Sequence, residues 1–352
     1  MNFYLIEIIF IILLSINFAV IIKLWPFIRR RYAIKSYKSI QRIHEKEIPR
    51  FGGIIIFIFI FLYLMISNNE YFDQNRNFIF KLIISSFPIF FISSYEDITQ
   101  SISPILRLII MFFSASLSIF YLNINLPVVE IPFFGDFLSQ SYFVFLFYII
   151  SIVIFVNGVN LIDGANGLMT VSSICQILGI FFLSYISGDI FLMNLLLVML
   201  LPLIVFLFFN YPKGKIFIGD TGCYLYGFFI SIFCIKLYGD NQHFPSWGAV
   251  LVLFFPLMEI FFSFFRKIFE KYSPFKPDDK HLHSLLYRKL LKNYKNKKIA
   301  NNLVLPNLFI FWLSPLICIL WFYNNSIGIF ISLVILIILY LCLYKSLSSN
   351  CL

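Results

Sequence analysis

Side chains that could bind a phosphate group or a metal ion occur in short clusters beside long apolar runs. In the segment NGVNLIDGANGL (157–168), Asn157, Asn160 and Asp163 are three residues apart. On a helix this spacing confines the three side chains to an arc of about 120°. An amide offers both donor and acceptor groups, as a nucleobase or a sugar amide requires, and glycines let backbone approach a ligand closely. The segment therefore predicts a ligand site, and a glycine-rich turn between two helices is the alternative.

Two acidic clusters could hold a divalent cation or remove a proton. Glu96 and Asp97 are adjacent at the end of one apolar run, and Asp220 precedes another in the segment FNYPKGKIFIGDTG (209–222). Magnesium prefers carboxylate oxygens, keeps several waters and often bridges to substrate phosphates. Phe217 in the same segment could stack on a base. The alternatives are a solvated loop for the Glu-Asp pair and a helix N-cap for Asp220.

Basic residues supply the complementary charge in two segments. Arg50 stands just before a glycine pair at the start of an apolar run, a pattern typical of an anion site at a helix N-terminus. Positive charge at the start of a membrane span explains Arg50 equally well. His281, His283 and Arg288 lie in the long loop 266–303, and without a third soft ligand they suit phosphate better than zinc. The leucines and lysines that follow predict a basic amphipathic helix on the membrane surface.

Composition identifies the elements that must position these clusters. Apolar residues make up 61% of the 352 residues and charged residues only 12%, whereas a soluble domain is about half apolar. The apolar runs do not alternate as barrel strands would, so the spans are helices. The prediction is an all-α polytopic membrane bundle that forms a single domain over residues 1–352. Eleven spans are expected, near 3–24, 51–67, 78–94, 104–122, 141–157, 168–187, 190–209, 218–238, 247–265, 304–323 and 326–345.

The distribution of charge predicts the orientation of the bundle. If the N-terminus is outside, 24 of the 27 Lys and Arg residues lie in inward segments, and only Arg76, Lys81 and Lys236 do not. This asymmetry follows the positive-inside rule, so the net charge of +10 is no sign of a nucleic-acid partner. The C-terminus is then cytoplasmic, and all polar clusters share the cytoplasmic face. The predicted catalytic loops lie near 23–50, 95–107, 158–167, 210–217 and 266–303.

Taken together, the clusters resemble the polyprenyl-phosphate N-acetylhexosamine-1-phosphate transferases, which include WecA-type enzymes and the phospho-MurNAc-pentapeptide translocase. The resemblance runs from about residue 34 to residue 292. It implies that a polyprenyl phosphate attacks the sugar-linked phosphorus of a UDP-N-acetylhexosamine and that UMP leaves. It also implies Mg²⁺ as the metal ion, with Mn²⁺ as a substitute, and a location in the bacterial inner membrane. It leaves open whether the protein forms a homodimer. The matching segments, in order, are PRFGG (49–53), EDITQSISPILRL (96–108), NGVNLIDGANGL, FNYPKGKIFIGDTG and PDDKHLHSLLYRK (277–289).

The resemblance implies a role for each matched residue. The residues expected to be catalytic are the carboxylates Glu96, Asp97, Asp163 and Asp220. Two of these, Asp97 and Asp220, are the expected metal ligands, and the Glu-Asp pair could instead deprotonate the lipid phosphate. Whether a carboxylate acts as base or as covalent nucleophile is left open. The residues expected to bind substrate are Arg50, Asn157, Asn160, Asn166, Phe217, His281, His283 and Arg288.

Three departures from the family pattern narrow the branch of the family to which the chain is expected to belong. Glu96 and Asn166 stand where the family usually has Asp, and Ser284 replaces a third His. The missing histidine argues against the pentapeptide translocase and favours enzymes that initiate O-antigen or capsule chains. A transporter or flippase is the main alternative. It is disfavoured because transporter sites lie near the bilayer midplane, and only Glu259 falls well inside a span. An inactive scaffold with this fold is the other alternative.

Overall fold

The computed structural model describes residues 3–32, 48–67, 69–128, 141–273 and 278–349. Within these ranges every regular element is a helix, which confirms the all-α class. Most of the predicted inward segment 23–50 lies outside the described residues. The helices are α1 (Phe3–Tyr32), α2 (Gly52–Ile66), α3 (Glu70–Gln74), α4 (Arg76–Thr99), α5 (Pro104–Tyr121), α6 (Ser141–Leu161), α7 (Leu168–Ser187), α8 (Ile190–Asn210), α9 (Gly219–Asp240), α10 (Trp247–Val252), α11 (Phe254–Phe269), α12 (Leu282–Tyr294), α13 (Lys297–Asn307), α14 (Phe309–Trp312), α15 (Ser314–Phe322) and α16 (Ser326–Ser349).

Eight of the described helices are long and apolar enough to cross a membrane, and a ninth span results if α13 and the bent segment after it count as one. The chain is therefore a multi-pass membrane protein, as composition predicts. Each of the eleven predicted spans coincides with helical structure, but one is a short helix of 15 residues, α2, and two are broken. The count of eleven and the orientation stay predictions.

Proline explains the break in the predicted span 304–323. The predicted span 304–323 bends by 42° just after Pro306. Because proline has no N–H group, it leaves the carbonyl four residues earlier without its helical partner. That carbonyl belongs to Asn302, and the Tyr211 hydroxyl donates a hydrogen bond to it at 3.2 Å. A second break, at Leu253, separates α10 from α11.

Helix α9 is the centre of the bundle. Nearly all of its residues are buried, and it packs against α2, α4, α6 and α7. Glycine makes this close packing feasible, since a Cβ atom at Gly227 would meet the backbone of Val156 on α6 at 2.9 Å. By contrast, α1 and α16 expose most of their apolar side chains, as a lipid-facing surface does. The packing around α9 fixes its N-terminus, which carries the polar site.

The predicted amphipathic helix exists as α12, but it does not lie on lipid. Its leucine face, formed by Leu285, Leu286 and Leu290, is buried, and the helix packs against α13 and α16. Lysines such as Lys289 and Lys292 occupy the exposed face. The surface-lying prediction is therefore wrong in this respect, because the apolar face has a protein partner. The helix closes the end of the bundle that holds the polar clusters.

Replacing Gly53 by alanine is expected to destabilise the protein, because a Cβ atom there would overlap the backbone of Gly222 on α9. Overpacking of this kind costs about 1–3 kcal/mol. Gly179→Ala is the matched control. It also lies in a helix, and its Cβ would make ordinary contacts at 3.6 Å. Thermal unfolding in detergent measures both variants. Equal melting temperatures would contradict the close crossing of α2 and α9.

Candidate active site

The site is built on the N-terminus of α9, where Asp97 from α4 acts as an anchor. The Asp97 carboxylate accepts hydrogen bonds from the backbone N–H groups of Asp220 and Thr221, both at 2.9 Å, and from the Thr221 hydroxyl at 2.7 Å. The first N–H groups of a helix have no intrahelical acceptor and carry partial positive charge. Gly219 precedes them with φ +75°, and a Cβ atom there would collide with the carboxylate. Asp97 therefore joins α4 to α9.

Two arginines from distant parts of the chain bind the two oxygens of Asp220. The Arg50 guanidinium donates to Oδ1 at 2.8 Å, and the Arg107 guanidinium donates to Oδ2 at 2.7 Å. The Asn160 amide also approaches Oδ1, at 3.3 Å. All these side chains are at least half-buried, so their charges are poorly screened by water. Charge-assisted pairs of this kind hold the Asp220 carboxylate in one orientation.

Backbone pairing places Arg50 over Asp220. The Phe217 N–H donates to the carbonyl of Pro49 at 2.9 Å, and the N–H of Gly52 donates back to the Phe217 carbonyl at 3.0 Å. The predicted anion segment PRFGG thus lies directly against the predicted segment that precedes α9. The Phe217 side chain stays partly exposed, and its expected contact with uracil stays a prediction.

Arg107 and Tyr224 belong to the site but are absent from the sequence-based set. Ser103 caps α5 by accepting from the Leu106 N–H at 3.2 Å, which places Arg107 in the first turn of that helix. Arg107 lies 3.3 Å from the Tyr224 hydroxyl and 3.8 Å from Glu96 Oε1. The sequence offered one signal for Arg107, namely an arginine at the start of a predicted membrane span. It offered no signal for Tyr224, which lies inside an apolar helix.

The two members of the acidic pair have different surroundings. Glu96 Oε2 accepts from the Ile102 N–H at 2.9 Å and so closes the turn between α4 and α5. Its other oxygen faces Arg107. Asp97 is buried, and both of its oxygens serve α9 and Arg50. Of the two expected metal ligands, Asp220 is therefore the carboxylate closer to the surface of the site.

Asp163 lies at the end of α6, on the same side as Asp220. Burial raises the pKa of its carboxyl group to about 7. The negative charges of Asp220 and Asp97 act in the same direction, while Arg50 and a hydrogen bond with Cys223 oppose the rise. Near neutral pH, Asp163 can therefore either hold a proton or accept one. This behaviour suits general acid–base chemistry.

The composition of the cluster fits a divalent cation. Three carboxylates, Glu96, Asp97 and Asp220, pair with two guanidinium groups, and Asp163 lies close enough to feel their charges. The fully ionised cluster of four carboxylates and two arginines has an excess of two negative charges. Among the described residues no group of three or more His, Cys, Asp or Glu side chains is arranged to hold a metal ion. Magnesium does not need one, since it is often held by one or two carboxylates together with waters and phosphates. Asp220, with the Asn160 amide beside it, fits that role.

Asn166 is held by residues that the sequence did not indicate. Its N–H donates to Asn301 Oδ1 at 2.9 Å, and its side-chain amide donates to the Pro212 carbonyl at 3.2 Å. The next N–H, of Gly167, donates to Asn210 Oδ1 at 2.6 Å. Asn166 Oδ1 is buried without a protein hydrogen-bond partner.

Asn157 also lies outside the Asp220 contacts, because its amide donates to the Val153 carbonyl of its own helix at 2.8 Å. The expected nucleotide contacts of both asparagines stay predictions.

The two predicted histidines form a separate, buried cluster behind the Asp163 turn. Their rings are parallel, with centroids 5.7 Å apart and an interplanar angle of 1°. His283 packs against Gly164 so closely that a Cβ atom there would overlap its imidazole ring. Arg288 instead binds Asp279, at 2.9 Å from its carboxylate and 2.8 Å from its carbonyl oxygen. The structure thus brings the histidines to the back of the 157–168 segment and does not join them to Asp220. Their expected phosphate contacts stay predictions.

Fold and site together define a polytopic membrane protein with a charged polar site at one end of its helix bundle. Residues 79–238, which span α4 to α9, match the model of glycosyl transferase family 4, and this part of the chain is a domain of that family. The match contains Asp97, Asp163 and Asp220. The family resemblance seen in the sequence motifs is therefore confirmed.

Curated relatives extend the similarity beyond this domain. The chain is 27% identical over 262 residues to a probable undecaprenyl-phosphate N-acetylglucosaminyl 1-phosphate transferase of Bacillus subtilis, covering 73% of this chain and 72% of the relative. It is 28% identical over 254 residues to an undecaprenyl-phosphate alpha-N-acetylglucosaminyl 1-phosphate transferase of Thermotoga maritima, covering 72% of each. A phospho-N-acetylmuramoyl-pentapeptide-transferase of Streptococcus thermophilus is 23% identical over 207 residues, or 56% of this chain and 61% of the relative.

Buried His283 is expected to make stability depend on pH. Burial, together with the charge of His281, lowers its pKa from 6.5 to about 4, against the opposing effect of Glu259. The unfolded chain takes up this proton first, so the stabilising effect is complete above about pH 6.5 and is lost as pH falls towards 4. The difference is on the order of 3 kcal/mol.

Melting temperatures between about pH 4 and pH 7 measure this dependence. His283→Gln is expected to lose less stability than the wild type as pH falls from about 6.5 towards 4, because glutamine does not titrate, whereas Asp163 titrates in both proteins. His243→Gln, at an exposed histidine, is the control and keeps the wild-type slope. If the two variants have the same profile, the buried neutral state of His283 is wrong.

Proposed function

We propose that the protein transfers an N-acetylhexosamine 1-phosphate, with N-acetylglucosamine as the first candidate, from a UDP-sugar to undecaprenyl phosphate and releases UMP. The observation that carries this proposal is the Asp220 carboxylate held between Arg50 and Arg107 at the N-terminus of α9. The names of the relatives support the lipid acceptor and the sugar. A helix N-terminus flanked by two guanidinium groups is a suitable binding site for phosphate oxygens.

Phosphoryl transfer depends on alignment and on neutralising oxygen charge more than on covalent help from the protein. Here Arg50 and Arg107 can turn from Asp220 to the phosphate oxygens of the substrates, since both side chains are partly exposed. The metal ion, held by Asp220, would supply further neutralisation of the phosphate charge. Asn160 would orient the nucleotide-sugar by donating and accepting hydrogen bonds.

Asp163 is the residue best suited to handle a proton. A phosphate monoester such as the lipid acceptor has a second pKa of about 6, so it is partly protonated near neutral pH. Asp163, with its pKa of about 7, can accept this proton when the acceptor phosphate enters. A fully ionised acceptor is the better nucleophile toward the sugar-linked phosphorus. The carboxylate then acts as a base rather than forming a covalent intermediate.

An apolar cavity of about 370 Å³ can hold part of the isoprenoid tail. It lies between α6, α9, α10 and α11, and almost all of its lining is apolar, including Trp247, Leu253 and Phe261. The lining residues of α6 end at Phe155, within one turn of Asn157. A lipid bound there would bring its phosphate to the end of α6, near the acidic cluster. The tail would stay among apolar side chains.

The cellular setting follows from the charge pattern of the chain. We place the acidic cluster on the cytoplasmic face of a bacterial inner membrane, because nearly all Lys and Arg residues lie on that side in the predicted topology. UDP-sugars would then reach the site from the cytoplasm. The lipid-linked product would initiate a surface glycan such as O-antigen or capsule. The proposal does not depend on a dimer.

The direct test is UMP release by purified protein in detergent, with Mg²⁺, undecaprenyl phosphate and a panel of UDP-sugars. We expect release with one UDP-N-acetylhexosamine, and only when lipid and metal are both present. Protein from the same preparation without lipid is the control. Folded protein that releases no UMP with any donor would contradict the proposal and favour a transporter or flippase.

Asp220→Asn is expected to lower turnover by about 10²–10³-fold, because the amide keeps the shape of the side chain but loses the charge that would hold Mg²⁺. Asp240→Asn, at the other end of α9 and paired with Lys236, is the matched control. A readout without turnover is the increase in melting temperature on adding Mg²⁺, which Asp220→Asn is expected to abolish. Wild-type turnover together with a wild-type response to Mg²⁺ would contradict the assignment of Asp220.

A further inference from the structure

Glu259 is a buried carboxylate of α11 that falls within the predicted span 247–265, and only 1% of it is exposed. An unpaired charge in such a place is expensive, so a charged residue within a span is expected to have a partner and a function. Glu259 Oε2 lies 3.3 Å from His281 Nδ1. Glu259 belongs to none of the polar motifs of the sequence, and the reaction outlined above does not use it.

His281 is held between two carboxylates. Its Nδ1 faces Glu259, and its Nε2 lies 3.5 Å from Asp278 Oδ1. The other Asp278 oxygen accepts a hydrogen bond from Arg266 at 2.7 Å. The closer of the two contacts gives the buried carboxylate of Glu259 a polar partner, and Asp278 lies on the opposite side of the ring. Glu259 is thereby tied to the residue that precedes α12.

The position of His281 in the chain links this pair to the site. His281 is the residue that precedes α12, and His283 stands in the first turn of that helix. The stacked His283 ring fills the space left by the missing side chain of Gly164. Gly164 is adjacent to Asp163. A continuous series of contacts therefore runs from Glu259 in α11 to the back of the Asp163 turn.

We propose that Glu259 is a positioning residue that anchors His281, and through it the start of α12, against the Gly164 turn. Asp163 is thereby held facing Asp220. Glu259 contacts neither substrate nor metal, and its effect on turnover rests on the function proposed above. The anchoring itself can be measured without turnover.

The first test compares Glu259→Gln and Glu259→Ala with Glu70→Gln in the full-length protein. Glu70 is an exposed glutamate at the start of α3, where Gln74 donates a hydrogen bond to it, so it is a control outside the anchor. Displacement of catalytic groups by about 1 Å can cost 10²-fold in rate, so we expect kcat for UMP release to fall about 10- to 100-fold in Glu259→Ala. Glutamine keeps an acceptor but not the charge, and its kcat is expected between those of alanine and wild type.

The KM for the UDP-sugar is expected to change little in these variants. Asn166 and its turn are held by Asn210 and Asn301, which do not depend on Glu259. General unfolding would change both constants and lower the melting temperature. A rise in the KM for the UDP-sugar without a fall in kcat would overturn the positioning role. Wild-type kcat in Glu259→Ala would overturn it as well.

Hydrogen–deuterium exchange of residues 278–290 is the readout that needs no activity. We expect faster exchange in Glu259→Ala and His281→Ala, and wild-type exchange in Glu70→Gln. The double variant should exchange no faster than either single one, because both remove the same contact. If the wild type releases no UMP, the function fails, and this exchange experiment alone decides the anchor. Additive effects, or unchanged exchange in Glu259→Ala, would overturn the proposal.

Discussion

The capping of α9 by Asp97 is the interaction on which the polar site depends. A helix that begins inside a membrane protein has several N–H groups without acceptors, and burying them unpaired would be costly. Asp97 satisfies the first of these groups and a neighbouring hydroxyl. The position of Asp220 then follows, because it is the first capped residue and lies beside Arg50 and Arg107. Without this cap, the two arginines would lose the fixed position of the carboxylate that they share.

The charges of the site do not serve stability. Burying ion pairs costs desolvation that their attraction often fails to offset, so apolar residues would give a more stable bundle. The cluster around Asp220 nevertheless contains an excess of carboxylates at the end of a central helix. Such a cost is expected where fixed charges must meet charged ligands. The apolar bundle provides the rigid support, since α9 is packed on nearly all sides.

Sequence patterns predicted the helices well and the contacts between them only in part. Each predicted span coincides with helical structure, because hydropathy is a local property of the chain. Arg107 and Asn301 went unrecognised because their partners, Asp220 and Asn166, are more than a hundred positions away. The breaks at Leu253 and near Pro306 were missed because an apolar run looks the same whether or not its helix is continuous. The leucine face of α12 was assigned to lipid because the sequence does not reveal that α13 and α16 cover it.

The glycines of the 157–168 segment have a different role from the one the sequence suggested. They were expected to let backbone approach a ligand. In the structure, a Cβ atom at Gly158 would meet the carbonyl of Pro256 on α11, and one at Gly164 would overlap His283. The missing side chains therefore let the segment fit between the acidic cluster on one side and the histidine cluster on the other. Because a turn packed on both sides cannot shift freely, the position of Asp163 depends on contacts that never touch its carboxylate.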